Sequence, residues 1–141
     1  MQQQTKQSRV RSSMIVLAIL CAMSFVMYID RTNIATAALA IRSDLHLSNS
    51  QLGFVFSAFA VVYAVAMIPG SWVADKIGAH KMLAICGVLW ATGTLLTGLA
   101  GGFYGLILAR FIVGLGESAI VPTSAKALAV WVEPQRRGFA Q

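Results

Sequence analysis

Four charge-poor stretches follow one another along the chain, at residues 14–41, 52–73, 82–100 and 103–125. A helix that crosses a bilayer needs about 20 predominantly apolar residues, and each stretch is long enough. Barrel strands would be shorter and would alternate apolar with polar residues, which these runs do not. The third and fourth are separated by "AGGFYG", where Gly101, Gly102 and Gly105 supply a turn. The chain therefore reads as an all-α integral membrane protein with helices at about 14–41, 50–73, 80–100 and 103–129, after a basic segment 1–13. Composition excludes the soluble alternative: 11% of the 141 residues are charged and 57% hydrophobic, against about 25% charged in soluble domains. A chain this short cannot bury so much apolar surface within itself, so the lipid bilayer is its first partner.

A cleaved signal does not explain the first stretch. "ALA" at 38–40 lies too far beyond the apolar stretch, and Asp30 and Arg31 intervene. Basic residues set the orientation. Lys6, Arg9 and Arg11, then Lys76 and Lys81, then Arg136 and Arg137 fall on one side, while the other holds Arg42 beside Asp44. The positive-inside rule puts the first group, and so both termini, in the cytoplasm. The net charge of +6 is then a topology signal rather than a nucleic-acid surface. Trp72 and Trp131 fall near that same interface, where indoles prefer to sit.

Asp30 and Arg31 stand side by side in "YIDRTN", inside an otherwise uncharged run. As one helix, residues 14–41 extend about 42 Å, which places the pair near mid-membrane. A charge there costs roughly 2.5–3.5 kcal/mol and is functional by default. Adjacent residues do not face each other on a helix, so each must find a partner or water elsewhere. The fourth stretch repeats the theme: Arg110, Gly114, Glu117 and Val121 share a face, with Arg110 and Glu117 about 10.5 Å apart along the axis. Arginine captures anions through paired hydrogen bonds, and a carboxylate in a dry site can carry a proton. Anion capture beside a proton carrier is the equipment of a symporter. A purely structural ion-pair network is the competing reading.

Tyr63 could offer a hydroxyl to a substrate or simply pack. Pro122 should free a backbone carbonyl and kink the fourth helix, and Lys126 should snorkel to the cytoplasmic interface. Small residues suggest close helix contacts: Gly53, Ser57, Ala60 and Ala64 on the second helix; Gly87, Ala91, Thr94 and Gly98 on the third; Gly105, Ala109, Gly116, Ala119 and Thr123 on the fourth. Cys21, Cys86, His46 and His80 show no metal spacing. Neither a nucleophile–base set nor a phosphate loop suggests an enzyme.

"PGSWVADKIGAHKML" (69–83) resembles the loop signature of the major facilitator superfamily, Gly-x-Leu-Ala-Asp-Arg-x-Gly-Arg-Arg/Lys, through Asp75, Lys76, Gly78 and Lys81. Ser71 takes the place of its first glycine, and His80 that of a basic residue. "ARFIVGLGESAIVPTSAKALAVWVEPQRRG" (109–138), "YIDRTNIATAALAI" and "FVFSAFAVVYAVAMIPG" resemble the fourth, first and second helices of the anion:cation symporter branch. The resemblance implies that Arg31, Tyr63 and Arg110 serve substrate binding and that Asp30 and Glu117 handle protons. Asp75, Lys76, Gly78 and Lys81 would form a cytoplasmic gate. No cofactor is implied, the coupling ion being a proton or Na+. Met67 stands where many sugar-acid members carry glutamine, Arg136 replaces a usual glutamate and Glu133 a proline.

Members of the family have twelve helices in two six-helix halves with the site between them. Four helices, with 130–141 leading towards a fifth, make up part of the N-terminal half. The expectation is an N-terminal piece of a proton-coupled organic-anion importer of the bacterial plasma membrane, not transport-competent without its remaining helices. A self-associating four-helix transporter of the small multidrug type is the alternative, but deep arginines suit it poorly. A non-transporting membrane remnant is the other.

Overall fold

The computed structural model describes residues 2–132 and 138. Its helices are α1 (Gln2–Asp44), α2 (Asn49–Ile77), α3 (Ala79–Gly98), α4 (Phe103–Ser118) and α5 (Ile120–Trp131). Among the described residues, four spans are long and apolar enough to cross a membrane: Ser13–Asp44, Asn49–Ile77, Ala79–Gly98, and Phe103–Trp131, which joins α4 to α5. Each reaches the length expected, and α1 continues back through the basic segment to Gln2. The expected departures at Glu133 and Arg136, and most of 130–141, lie outside the described residues.

Short turns make successive spans antiparallel. Ser48 opens α2 with a capping box: its hydroxyl accepts from the Gln51 amide at 3.1 Å, and the Gln51 side chain accepts from the Ser48 amide at 2.9 Å. Gly78 alone joins α2 to α3, at φ 87° and ψ 151°, a backbone region essentially reserved for glycine. Its place in "ADKIGAHK" is thus a requirement of the turn.

The fourth span breaks where proline chemistry dictates. Pro122 cannot donate to the Ser118 carbonyl four residues back and its ring crowds that carbonyl. The helix stops at Ser118, Ala119 forms a turn, and α5 restarts at Ile120.

The span containing α4 is the centre of the bundle, packed chiefly against α3 and α2. Just over half of its most apolar stretch is buried, 56%, against 6–17% for the other three. Among the described residues, three apolar clusters pin it at successive depths. One joins α1 to α5 through Leu20, Ala127, Leu128 and Val132. A second gathers Ala74, Met82, Cys86, Ala119 and Ile120, and a third holds Leu47, Val55 and Leu106 at the opposite end.

The small-residue stripes fare differently from helix to helix. Along the fourth span, Ala109, Ala119 and Thr123 are almost wholly buried, and a Cβ on Gly116 would lie 2.5 Å from the Trp90 amide nitrogen of α3. On α2, however, Gly53, Ser57, Ala60 and Ala64 are all exposed, and a Cβ on Gly53 or Gly87 would meet nothing within 4 Å. The inward face of α3 is instead that of Met82, Cys86 and Gly93, where a Cβ on Gly93 would strike Val113 at 2.6 Å. Glycine and alanine are common throughout membrane helices, so spacing alone did not separate a packed face from an outward one.

Candidate functional site

Asp30 and Arg31 leave α1 in different directions, as their adjacency requires. Arg31 reaches α4, where Nε and Nη2 both donate to Glu117 Oε2, at 2.9 and 2.7 Å. Glu117 is wholly buried while the Arg31 side chain keeps 36% of its surface accessible. The guanidinium also lies beside two rings of α2, its Cζ 5.3 Å from the Phe59 centroid and 5.0 Å from that of Tyr63. Both are cation–π distances. Phe59 and Tyr63 lie four residues apart on α2, so one stripe of that helix backs the arginine, and Met67 follows them at the same interval. Tyr63 thus sits against the guanidinium.

Asp30 turns to α3. Its Oδ2 accepts from Trp90 Nε1 at 3.2 Å and from Thr94 Oγ1 at 3.3 Å. Three residues further along α3, Thr97 accepts from Arg110 Nη2 at 2.8 Å. Arg110 is 4% exposed, and its Nε has no hydrogen-bond partner among the described residues. Asp30 and Arg110 are not bonded to each other. Both line a cleft of about 420 Å³ between α1 and the α3–α4 pair, which extends past Thr97 to Asp44 and Leu45 at the α1–α2 turn.

The four deep charges therefore divide into two places. Arg31 and Glu117 form one direct ion pair beside α2. Asp30 and Arg110 share the wall of a cleft, each held by neutral donors or acceptors of α3. Two acids and two bases cancel over the whole. Removing either partner of a buried pair leaves an uncompensated charge, a loss of about 3–5 kcal/mol. One expected member of the α4 face does not belong to it: Val121 lies beyond the break at Ala119 and is 51% exposed. Trp90 and Thr97 were not anticipated as polar partners. The available signal was an indole and two hydroxyls at positions 90, 94 and 97, near one-turn spacing along the span.

The loop signature lies at the other end of the bundle. Asp75 Oδ1 bonds Lys126 Nζ at 2.7 Å, and Lys126 also donates to the Ser71 carbonyl at 3.0 Å. Lys126 therefore ties α5 to α2 rather than merely extending towards an interface. Lys76 stacks over the Trp72 ring, 3.5 Å from its centroid. Lys81 is exposed and Gly78 forms the turn.

Comparison with known proteins bears on this arrangement. The family model of the Major Facilitator Superfamily matches residues 20–141. A probable sulfoacetate transporter of Cupriavidus necator is 44% identical over 135 residues, covering 96% of this chain and 31% of the relative. A probable galactarate/D-glucarate transporter of Pseudomonas putida is 37% identical over 144 residues, covering 98% and 31%. A D-galactonate transporter of Escherichia coli is 34% identical over 115 residues, covering 82% and 27%. The chain spans about a third of the length of these relatives, all of which are named as transporters rather than enzymes.

Proposed function

The chain belongs to the Major Facilitator Superfamily, and on that premise we propose that it supplies the first four spans of a proton-coupled importer of a small organic anion. Its basic N-terminal segment would face the cytoplasm of a bacterial inner membrane. The observation that carries the reading is the two-pronged bond from Arg31 to a single oxygen of Glu117. With the acid ionised, the arginine is engaged. A proton on Glu117 removes the charge that holds it and frees a guanidinium, backed by Phe59 and Tyr63, for a substrate carboxylate or sulfonate. Binding of one proton and one anion is thereby linked through a shared partner. Asp30 is a second proton carrier, and Arg110 a fixed positive charge of the same polar interior.

The substrate is a short, sparsely hydroxylated anion in preference to a hexonate. Met67 follows Tyr63 by one turn and brings no hydrogen-bonding group for sugar hydroxyls. The relative named for sulfoacetate is 44% identical, against 37% and 34% for those named for sugar acids. Later helices of the complete transporter would cover the outward stripe Gly53–Ser57–Ala60–Ala64, and the Asp75–Lys126 link would belong to its cytoplasmic gate.

Uptake by the complete transporter carrying this segment tests the reading, with labelled sulfoacetate and galactarate compared across imposed proton and sodium gradients. Arg31→Ala should abolish uptake, and Asp30→Asn should abolish its response to the proton gradient. Uptake unchanged in both variants would refute the assignment.

A further inference from the structure

One stripe of α1 runs Asp30, Ile34, Ala37, Ile41, Asp44, at spacings of 4, 3, 4 and 3. All five line the cleft between α1 and the α3–α4 pair. An acid thus stands at each end, about 21 Å apart along the helix. Arg110 and Thr97 form part of the facing wall. Arg110 is buried, yet its Nε is unpartnered among the described residues. A buried polar group in that condition calls for a small polar ligand.

Charge and size indicate which ligand. Asp30 and Asp44 set two negative charges against the single positive charge of Arg110, so the cleft disfavours an organic anion. Arg31, the anion-capturing candidate, does not line the cleft and is turned to Glu117 of α4 and the rings of α2. The volume of about 420 Å³ corresponds to about fourteen waters at roughly 30 Å³ each. A single file over about 21 Å at roughly 2.8 Å per hydrogen bond needs about eight. The cleft is long enough, wide enough and polar enough at both ends for a chain of water.

We propose that this cleft is a hydrated proton branch, leading from the end of the bundle that carries the α1–α2 turn to Asp30, separate from the route of the anion. Water satisfies Arg110 Nε along the way. The proton is relayed from solvent past Asp44 to the Asp30 carboxylate, and no bond other than O–H is made or broken. Ala37 and Ile41 form its apolar middle, where one large side chain would interrupt the file. The inference rests on the reading of Asp30 as a proton carrier.

Thiol labelling tests the branch without reference to transport. In the complete transporter with Cys21 and Cys86 replaced by serine, Ala37→Cys and Ile41→Cys are exposed in separate variants to charged, membrane-impermeant methanethiosulfonates. Both should react, at least tenfold faster with the cationic trimethylammonium reagent than with the anionic sulfonate. Leu39→Cys, on the outward face of α1 at 74% exposure, should not react. Unreactive thiols at 37 and 41, or faster reaction with the sulfonate, would overturn the branch. Ala37→Trp should then slow proton-driven uptake at least tenfold while substrate exchange at equal proton activity is unchanged. Equal loss of both would also overturn it. Coupling that survives in Asp30→Asn would instead remove the parent reading, and the labelling result distinguishes the two failures.

Discussion

Arg31 Nε and Nη2 both fall on Glu117 Oε2, and Oε1 is buried with no hydrogen-bond partner among the described residues. One oxygen is saturated and the other has none, so the carboxylate is held by a single partner that another anion could take.

Glu117→Gln should therefore uncouple binding from the proton. The amide preserves the shape and removes the charge that competes for Arg31. Anion exchange should persist, and uphill uptake driven by a proton gradient should fall at least tenfold. Parallel loss of exchange and uptake would place Glu117 in structure rather than coupling. Arg31→Met should lower the stability of the purified chain by about 3–5 kcal/mol, because it leaves Glu117 buried and unpaired. Combining it with Glu117→Leu should recover most of that loss, read by thermal melting in detergent.

Close helix approach predicts where an added methyl group is tolerated. A Cβ on Gly116 would lie 2.5 Å from the Trp90 nitrogen and 2.9 Å from its Cα. Those atoms are backbone and cannot swing aside. Gly116→Ala should cost about 1–3 kcal/mol, whereas Gly53→Ala, with nothing within 4 Å, should melt like the parent. Comparable melting of the two variants would contradict the α3–α4 interface.

Gly78→Ala should be harmful for a different reason. There is space for the methyl group, but φ of 87° with ψ of 151° is a conformation that alanine resists by about 1–3 kcal/mol. The loss should appear in thermal melting and should match that of Gly78→Val. A clash mechanism would instead scale with side-chain size.

Asp75 and Lys126 keep 64% and 38% of their side-chain surface exposed, so their bond should contribute no more than about 1 kcal/mol to stability. Asp75→Asn should thus leave melting nearly unchanged while altering uptake by the complete transporter. The exchanged pair Asp75→Lys with Lys126→Asp should restore uptake if the contact itself matters. A large loss of stability in the single variant would mark the bond as structural.

Much of this arrangement could be read in the chain. Apolar length identified the spans, and Pro122 located the break to within the turn at Ala119. The adjacency of Asp30 and Arg31 required that they point apart. What the sequence withheld was azimuth. Helical phase tells which residues share a face but not which neighbour that face meets, so Arg31 could have been assigned to any acid in the bundle. The same gap made the outward stripe on α2 look like a packed one and hid Trp90 and Thr97 among apolar residues. Lys126 could be placed at a helix end, but its partner Asp75 lies 51 positions away.

The central position of α4 also bears on biogenesis. Arg110 and Glu117 together cost roughly 5–7 kcal/mol to place at the centre of a bilayer as isolated charges. The groups that engage them, Thr97 and Arg31, belong to helices synthesised earlier. Offering those contacts before α4 leaves the ribosome makes its entry into lipid a cooperative event, dependent on the preceding hairpin still being close by. Its insertion should then be more sensitive to the loss of Arg31 than its own hydropathy would suggest.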